Sequence, residues 1–382
     1  MLAYNKDKLD AWMNRTMVEE AAALGLISET ETASILVRYP SPFFSPKPIV
    51  RIGLGIATLI AVSTFFSFIL LIAGFNMGEY GIQFLYGTAV FVVLEFMIRK
   101  KSHFRSGIDD LLLYQGFWFI IAGMYWLFER APDPFLVITA ITTVAAVAAT
   151  IRYADRLMAG LALIAFIVFL GYLLKKIDID LYIYLPQFTL VISIACWFAA
   201  SKLVKKPNLR HYHHCFEFLM ILSLVLAALS SNYYVFYEGW YSTFYGNKLS
   251  PFWRYFFAAT TALVPLITII SGFLQKDKKR IRVGTFMVVG AVMTFHYYFT
   301  STPTEILCIV YGALLLLISY WLLKHHKPKE NGISFSERQD SAALYEIESM
   351  LIGAGVGMIT PEQSGGRFGG GSFGGAGSGG NF

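Results

Sequence analysis

From Ile49 to Leu323 one apolar run follows another, each long enough to cross a bilayer, with short charged connectors between them. A bilayer core of about 30 Å takes roughly 20 apolar residues in a helix rising about 1.5 Å per residue. The stretch Ile52 to Gly74 fills that length without a charge. The same rule places spans at 52–74, 80–98, 111–128, 135–151, 157–174, 181–200, 213–235, 253–274, 283–300 and 304–323, ten in all.

Many of these runs are rich in Val, Ile, Phe and Thr, residues that favour strands in water. Membrane strands would instead read as about 10 residues alternating apolar with polar. The runs here are apolar on every side, and in lipid a helix satisfies its own backbone, so they are helices. Composition agrees: 56% of residues are hydrophobic and 15% charged, against roughly 25% charged in a soluble domain. The expected fold class is all-α, a polytopic integral membrane bundle of about ten helices with soluble segments at both ends.

Orientation follows from Lys and Arg, which are retained on the cytoplasmic side. With the amino terminus inside, only Arg130, Lys175, Lys176, Lys248 and Arg254 fall outside, leaving 26 of the 31 basic residues inside. Both termini are therefore expected in the cytoplasm, in a cell inner (plasma) membrane. The net charge of +6 then reflects topology and attraction to anionic inner-leaflet lipid, and no nucleic-acid partner is needed to explain it. Met1 to Val50 is long, charged and helical in pattern, so it is not expected to act as a cleaved signal peptide.

Residues 1–48 read as a cytoplasmic helical hairpin. Leu9, Trp12, Met13 and Met17 give the first helix an apolar face, and Gly25 stops it. Ser28 with Glu31 is a capping box for a second helix bearing Ala33, Ile35, Leu36 and Tyr39, ended before Pro40. Residues 49–323 form the membrane domain. Residues 324–358 form a cytoplasmic segment whose stretch Ser336 to Ile352 reads as an amphipathic helix, with Leu344, Ile347 and Leu351 on one face. Residues 359–382 end in a glycine-dominated tail punctuated by Phe368, Phe373 and Phe382. Such a tail buries too little surface to offset its backbone entropy and is expected to be disordered. The expected partners are the lipid bilayer and a protein contact of this tail.

The order Leu9, Trp12, Gly25-Leu26-Ile27-Ser28 with Glu31, Ile35-Leu36 and Tyr39, running into a multi-span body, resembles the bacterial membrane proteins grouped as domain of unknown function 2157. The resemblance implies this architecture and a bacterial inner membrane, and carries over no site residues. The tail resembles the Gly-rich, aromatic-punctuated tails of some TPM-domain membrane proteins, although that domain itself is missing here.

Charges buried mid-membrane mark ion and substrate pathways. Every ionisable residue of the spans lies within about two turns of an end, which argues against a proton-driven pump or a channel with a charged ring. Glu95 precedes Arg99 by four residues as an interfacial pair, and Asp109 and Asp110 open the third span, complementing its dipole. On the inner side His211, His213, His214, Cys215 and Glu217 crowd the seventh span. His213 and Glu217, at i and i+4, are a weak candidate metal pair without a His-Glu-x-x-His signature. On the outer side Glu129, Arg254, His296 and Glu305, beside a loop dense in aromatics that includes Trp240 and Trp253, form a candidate external vestibule. Those aromatics read first as an interfacial belt and second as a stacking platform for sugar or lipid.

Ten spans divide into two halves of five with opposite topology, and Gly53-x-Gly55 in the first span faces Pro186 in its counterpart. There is no GxSxG elbow, P-loop or HExxH. No cofactor is expected, and Cys196, Cys215 and Cys308 read as apolar fillers. The expected role is a non-enzymatic membrane component or scaffold. A small-solute or lipid transporter would differ in having broken helices around a cavity near the midplane, reaching Gln115, Gln187 or Asn232. A membrane-embedded transferase would need convergent carboxylates in a groove at one surface.

Overall fold

The computed structural model describes residues 2–23, 27–38, 43–72, 80–242, 250–274 and 277–299, and singly 309, 312, 313, 317 and 320. The expected tenth span, the amphipathic segment 336–352 and the Gly-rich tail lie outside these residues, apart from the single positions. The chain forms two compact units. Asn5–Phe44 belongs to the smaller, while Tyr4 and Ser45–Arg338 belong to the larger.

The smaller unit contains α1 (Lys6–Ala23) and α2 (Glu29–Arg38). The expected capping box is present: the Ser28 amide donates to Glu31 Oε2 at 2.8 Å and the Glu31 amide to Ser28 Oγ at 3.3 Å. The expected apolar face is met in part: Leu9 is 3% exposed and Met17 packs on the core of the pair. Val18, Ala21, Ile27 and Ile35 make the buried cluster, with Met17, Ala22 and Leu36 packed against it. A short connector brings α2 against the last two turns of α1, so Val18 and Ala21 meet it while Trp12 and Met13, further back, do not belong to the cluster. Gly25, Tyr39 and Pro40 lie outside the described residues.

Among the described residues the larger unit has nine long helices: α3 (Pro48–Ile72), α4 (Tyr80–Lys101), α5 (Ile108–Phe128), α6 (Pro134–Tyr153), α7 (Arg156–Ile177), α8 (Leu185–Leu203), α9 (His213–Ser231), α10 (Pro251–Leu274) and α11 (Lys278–Phe299). Among the described residues eight helices, α3 to α10, are long and apolar enough to cross a membrane. α11 also has 22 residues but opens on Lys278, Lys279, Arg280 and Arg282. Many Thr and Ser of these helices turn their hydroxyls back on the preceding turn. Thr142 donates to the carbonyl of Ile138 at 2.7 Å and Thr143 to that of Thr139 at 2.7 Å, so neither exposes an unmet polar group to lipid.

Two of the span boundaries that differ from expectation are set by side-chain caps. The sixth begins at Leu185 rather than 181, because Asp178 caps a separate turn, Ile179–Tyr182, through the Asp180 amide. Pro186 consequently sits in the first turn of α8, where a missing amide costs nothing, and does not break a span. The seventh ends at Ser231 rather than 235. Asn232 leaves the helical region (φ −75°, ψ 128°) and its side-chain oxygen accepts from the amides of Tyr234 and Val235, starting a new turn.

Sequential helices pair as hairpins, α4 with α5, α6 with α7, α8 with α9 and α10 with α11; α3 packs on α5, α7 on α9 and α9 on α10. Small residues set the closest approaches, as they do wherever no water is expelled to drive membrane helices together. A Cβ on Gly87 of α4 would lie 2.9 Å from the Ile120 amide nitrogen and 3.0 Å from the Gly116 carbonyl oxygen of α5. Successive hairpins sort the chain's polar ends. At one end, which we call the basic end, Glu95 pairs with both Arg99 (2.9 Å) and Arg152 (2.6 Å), and Lys279 with Glu217 (2.9 Å). At the other, Lys176 pairs with Asp133 (2.7 Å) and the Tyr298 hydroxyl donates to Glu238 (3.2 Å).

Gly87→Ala is expected to lower the thermal unfolding midpoint of the detergent-purified protein, because overpacking against fixed backbone costs about 1–3 kcal/mol. Gly53→Ala, on the same test, is expected to leave it unchanged, since no atom lies within 4 Å of a Cβ there.

Candidate functional site

The site that the structure assembles lies at the basic end, where the first turns of α3, α5 and α7 converge. The chain before α5 turns sharply: Ser102, Arg105 and Gly107 all have positive φ (53°, 51° and 90°). Gly107 is required there, because a Cβ would overlap the Arg51 carbonyl oxygen of α3. That contact brings the start of α3 against the start of α5. The turn is held by the two carboxylates that follow it. Asp109 accepts from the Arg105 amide, the Ser106 amide and the Ser106 hydroxyl, each at 2.8 Å, and from the Tyr4 hydroxyl at 3.5 Å. Asp110 accepts from the Gly107 amide at 3.2 Å and from Arg51 Nε and Nη2 at 2.9 and 2.7 Å.

From the other side comes the α6–α7 corner. Ala154 turns the chain in the left-handed region (φ 49°), and Asp155 caps α7 through the Met158 amide at 2.8 Å while its second oxygen accepts from the Tyr114 hydroxyl of α5 at 3.0 Å. Between these walls is a cavity of about 520 Å³, lined by Arg51, Arg105, Arg156, Asp109, Asp110 and Asp155 among others. Tyr4 closes one side, 8% exposed and edge-on to Phe104 at 4.9 Å. Burial, reinforced by Asp109, Asp110 and Asp155, holds its phenol well above the ordinary tyrosine range, so it stays neutral. The Arg105 guanidinium lies 5.4 Å from the Phe104 ring centre. Its pKa is lowered by burial first and then by Arg51 and Arg156 beside it.

Each carboxylate of this cavity is engaged by the protein itself. Asp109, Asp110 and Asp155 thus act as clasps between α3, α5 and α7 rather than as free acids or bases. Sequence reasoning found Asp109 and Asp110 but took them for dipole complements, and it missed Tyr4, Arg51, Arg105, Tyr114, Asp155 and Arg156. The available signal was an acid or an arginine at the starts of three alternate helices, α3, α5 and α7.

The sequence-derived candidates are dispersed. His213 Nδ1 lies 3.8 Å from Glu217 Oε1, but the other oxygen of Glu217 is paired with Lys279, and the His214 ring contacts the Ala154 carbonyl at 3.0 Å. Among the described residues no group of three His, Cys, Asp or Glu side chains is placed to hold a metal ion. At the opposite end Glu129 is exposed at the close of α5, Arg254 is exposed in the first turn of α10, and His296 is half-buried on α11. Trp240 and Trp253 are brought to one segment, against Tyr182 (4.8 Å) and Tyr184 (6.3 Å). Glu305 lies outside the described residues. Among the described aromatics of this end, Tyr233, Phe236 and Phe257 are buried, and Phe236 stacks on Phe257 at 3.8 Å.

Of the three span amides, Gln115 donates to the Leu59 carbonyl and Ser63 hydroxyl of α3. Asn232 pairs with Thr294 at 2.9 Å in a second, mainly apolar cavity of about 720 Å³ between α9, α10 and α11. This cavity also touches Pro265, which lies inside α10.

Comparison with known proteins adds little to this geometry. No family model and no curated protein matches the chain. A solved structure described as "MycP5-free ESX-5 inner membrane complex, State II" is similar at a TM-score of 0.46 and 13% identity, over 79% of this chain and 76% of that one. At that score the likeness carries no argument about fold or partners.

Arg51→Met and Asp110→Asn, singly and together, are expected to show a coupling of about 0.5–3 kcal/mol in unfolding free energy, as contacting charged partners do. Additive effects in that double-mutant cycle would contradict the clasp.

Proposed function

We propose that the protein is a non-enzymatic, multi-pass component of a bacterial inner membrane, with ten spans and both termini cytoplasmic, that acts as a fixed element of a larger membrane assembly. One observation carries the assembly reading: α3 presents Gly53, Ala57, Ala61 and Thr64, spaced by three or four residues, on a face that is exposed among the described residues. Small residues at this spacing let two membrane helices approach closely. Only 11% of the apolar window of α3 is buried, against 39% for α7. The placement of 26 basic residues supports the orientation, and the resemblance of the amino-terminal hairpin to domain of unknown function 2157 supports a bacterial membrane.

The engaged carboxylates weigh against the transferase reading, since a general base must be able to reach a substrate proton. The transporter reading loses its paired break, because Pro186 begins a helix and Gly55 packs against Leu111 of α5. It keeps Pro265 beside the Asn232–Thr294 cavity.

In nanodiscs cut directly from native membranes, the wild-type chain of 42.9 kDa is expected to migrate with at least one further protein chain. Gly53→Leu with Ala57→Leu, which adds bulk only on the exposed face, is expected to reduce that fraction several-fold. A single copy in wild type, or no change in the variant, would count against the assembly reading.

A further inference from the structure

We infer that the basic-end cavity binds the phosphate-bearing headgroup of a membrane lipid, with Arg156 as its anion contact and the α3 wall receiving the start of an acyl chain. This goes beyond the assembly reading and does not depend on it.

The first argument is the placement of three arginines where local physics disfavours them. A helix amino terminus carries roughly half a positive charge, so a cation in its first turn is repelled by about 0.3–1 kcal/mol. Arg51 lies in the first turn of α3 and Arg156 is the first residue of α7. Arg105 stands just before α5 in a left-handed conformation (φ 51°) that non-glycine residues rarely adopt. All three line the same cavity. Locally unfavourable choices that converge on one space mark a functional demand.

The second argument is what remains after internal pairing. The three carboxylates are met by backbone amides, by Tyr4, Ser106 and Tyr114 hydroxyls, and by Arg51. Arg156 is exposed at the rim, and among the described residues no hydrogen bond or ion pair engages its side chain. The group left for an anion at the cavity is therefore the Arg156 guanidinium. Planar guanidinium groups suit phosphate oxygens, which they grip in pairs.

The third argument identifies the source of that phosphate. Ile52, Ile56, Leu59 and Leu157 line the cavity and are 63%, 54%, 45% and 47% exposed. A soluble anion has no use for such a wall, whereas a lipid places its headgroup and first methylenes at this depth. Pockets of this kind at the basic side of membrane helices suit lipid headgroups.

The test uses the full-length protein in a detergent without phosphate, titrated separately with dioctanoyl phosphatidic acid, dioctanoyl glycerol and inorganic phosphate, with bound lipid counted by native mass spectrometry and stability followed by thermal unfolding. Phosphatidic acid is expected to bind saturably and raise the unfolding midpoint, with dioctanoyl glycerol and inorganic phosphate at least about tenfold weaker. Arg156→Gln is expected to weaken phosphatidic acid binding about tenfold while leaving the unliganded midpoint unchanged or slightly raised. Arg156→Lys is expected to retain part of the binding, and Lys205→Gln, basic but not among the cavity's lining residues, all of it. Equal binding of dioctanoyl glycerol would overturn the phosphate contact. Protection by inorganic phosphate as strong as that by the lipid would overturn the lipid source, and undiminished binding by Arg156→Gln would overturn the site.

Discussion

In hydrocarbon a backbone amide has no water to turn to, and everything else in this structure follows from that. Each segment from α3 to α10 closes its own hydrogen bonds and then has little left with which to choose its neighbours. Neighbour choice falls to shape and to the few polar groups that remain. Shape is set by glycines such as Gly87 and Gly160; a Cβ at Gly160 would come within 2.5 Å of the Phe218 ring. Polar choice is concentrated where the helices emerge. There Glu95 gathers Arg99, Arg152 and the Tyr153 hydroxyl, and Asp110 gathers Arg51 and the turn at Gly107. Deeper in the body, polar contacts between helices are held to small neutral groups, Gln115 with Leu59 and Ser63, and Asn232 with Thr294.

Features governed by that constraint were legible in the sequence. Span length and the absence of alternation gave the helices, and the distribution of Lys and Arg anticipated which helix ends share a side. The Ser28–Glu31 capping box was legible because it spans one turn. What failed was what depends on tertiary geometry. Asp109, Asp110 and Asp155 each have a sufficient local explanation as helix-start carboxylates, so nothing in a linear reading brings them together. Their convergence with Tyr4, Arg51 and Tyr114 requires α3 to cross α5 at Gly107, and that crossing rests on one positive φ. Asn232 likewise ends α9 early and turns the chain, so Tyr233 and Phe236 are packed inward, while Tyr234, Phe252 and Tyr255 stay exposed.

Three features meet on α3 without competing. One face, through Arg51 and Gly55, locks onto α5; a second, through Ile52, Ile56 and Leu59, forms the apolar wall of the basic-end cavity; a third carries Gly53, Ala57, Ala61 and Thr64. At about 100° of rotation per residue these are distinct sectors of one helix. Headgroup binding and helix association therefore bear on the same element, which the Arg51–Asp110 clasp holds in register with the rest of the body.

In the proposed orientation the end carrying Arg51, Arg105 and Arg156 faces the cytoplasm and the Glu129–Asp133 turn faces outward. The most direct measurement is labelling of intact cells by a membrane-impermeant thiol reagent, using Ser102→Cys or Ala131→Cys in a chain whose three native cysteines are replaced by alanine. Labelling at position 131, with position 102 reached only after the membrane is opened, is the predicted result. Labelling of position 102 in sealed cells would contradict the orientation on which the whole arrangement of charge is argued.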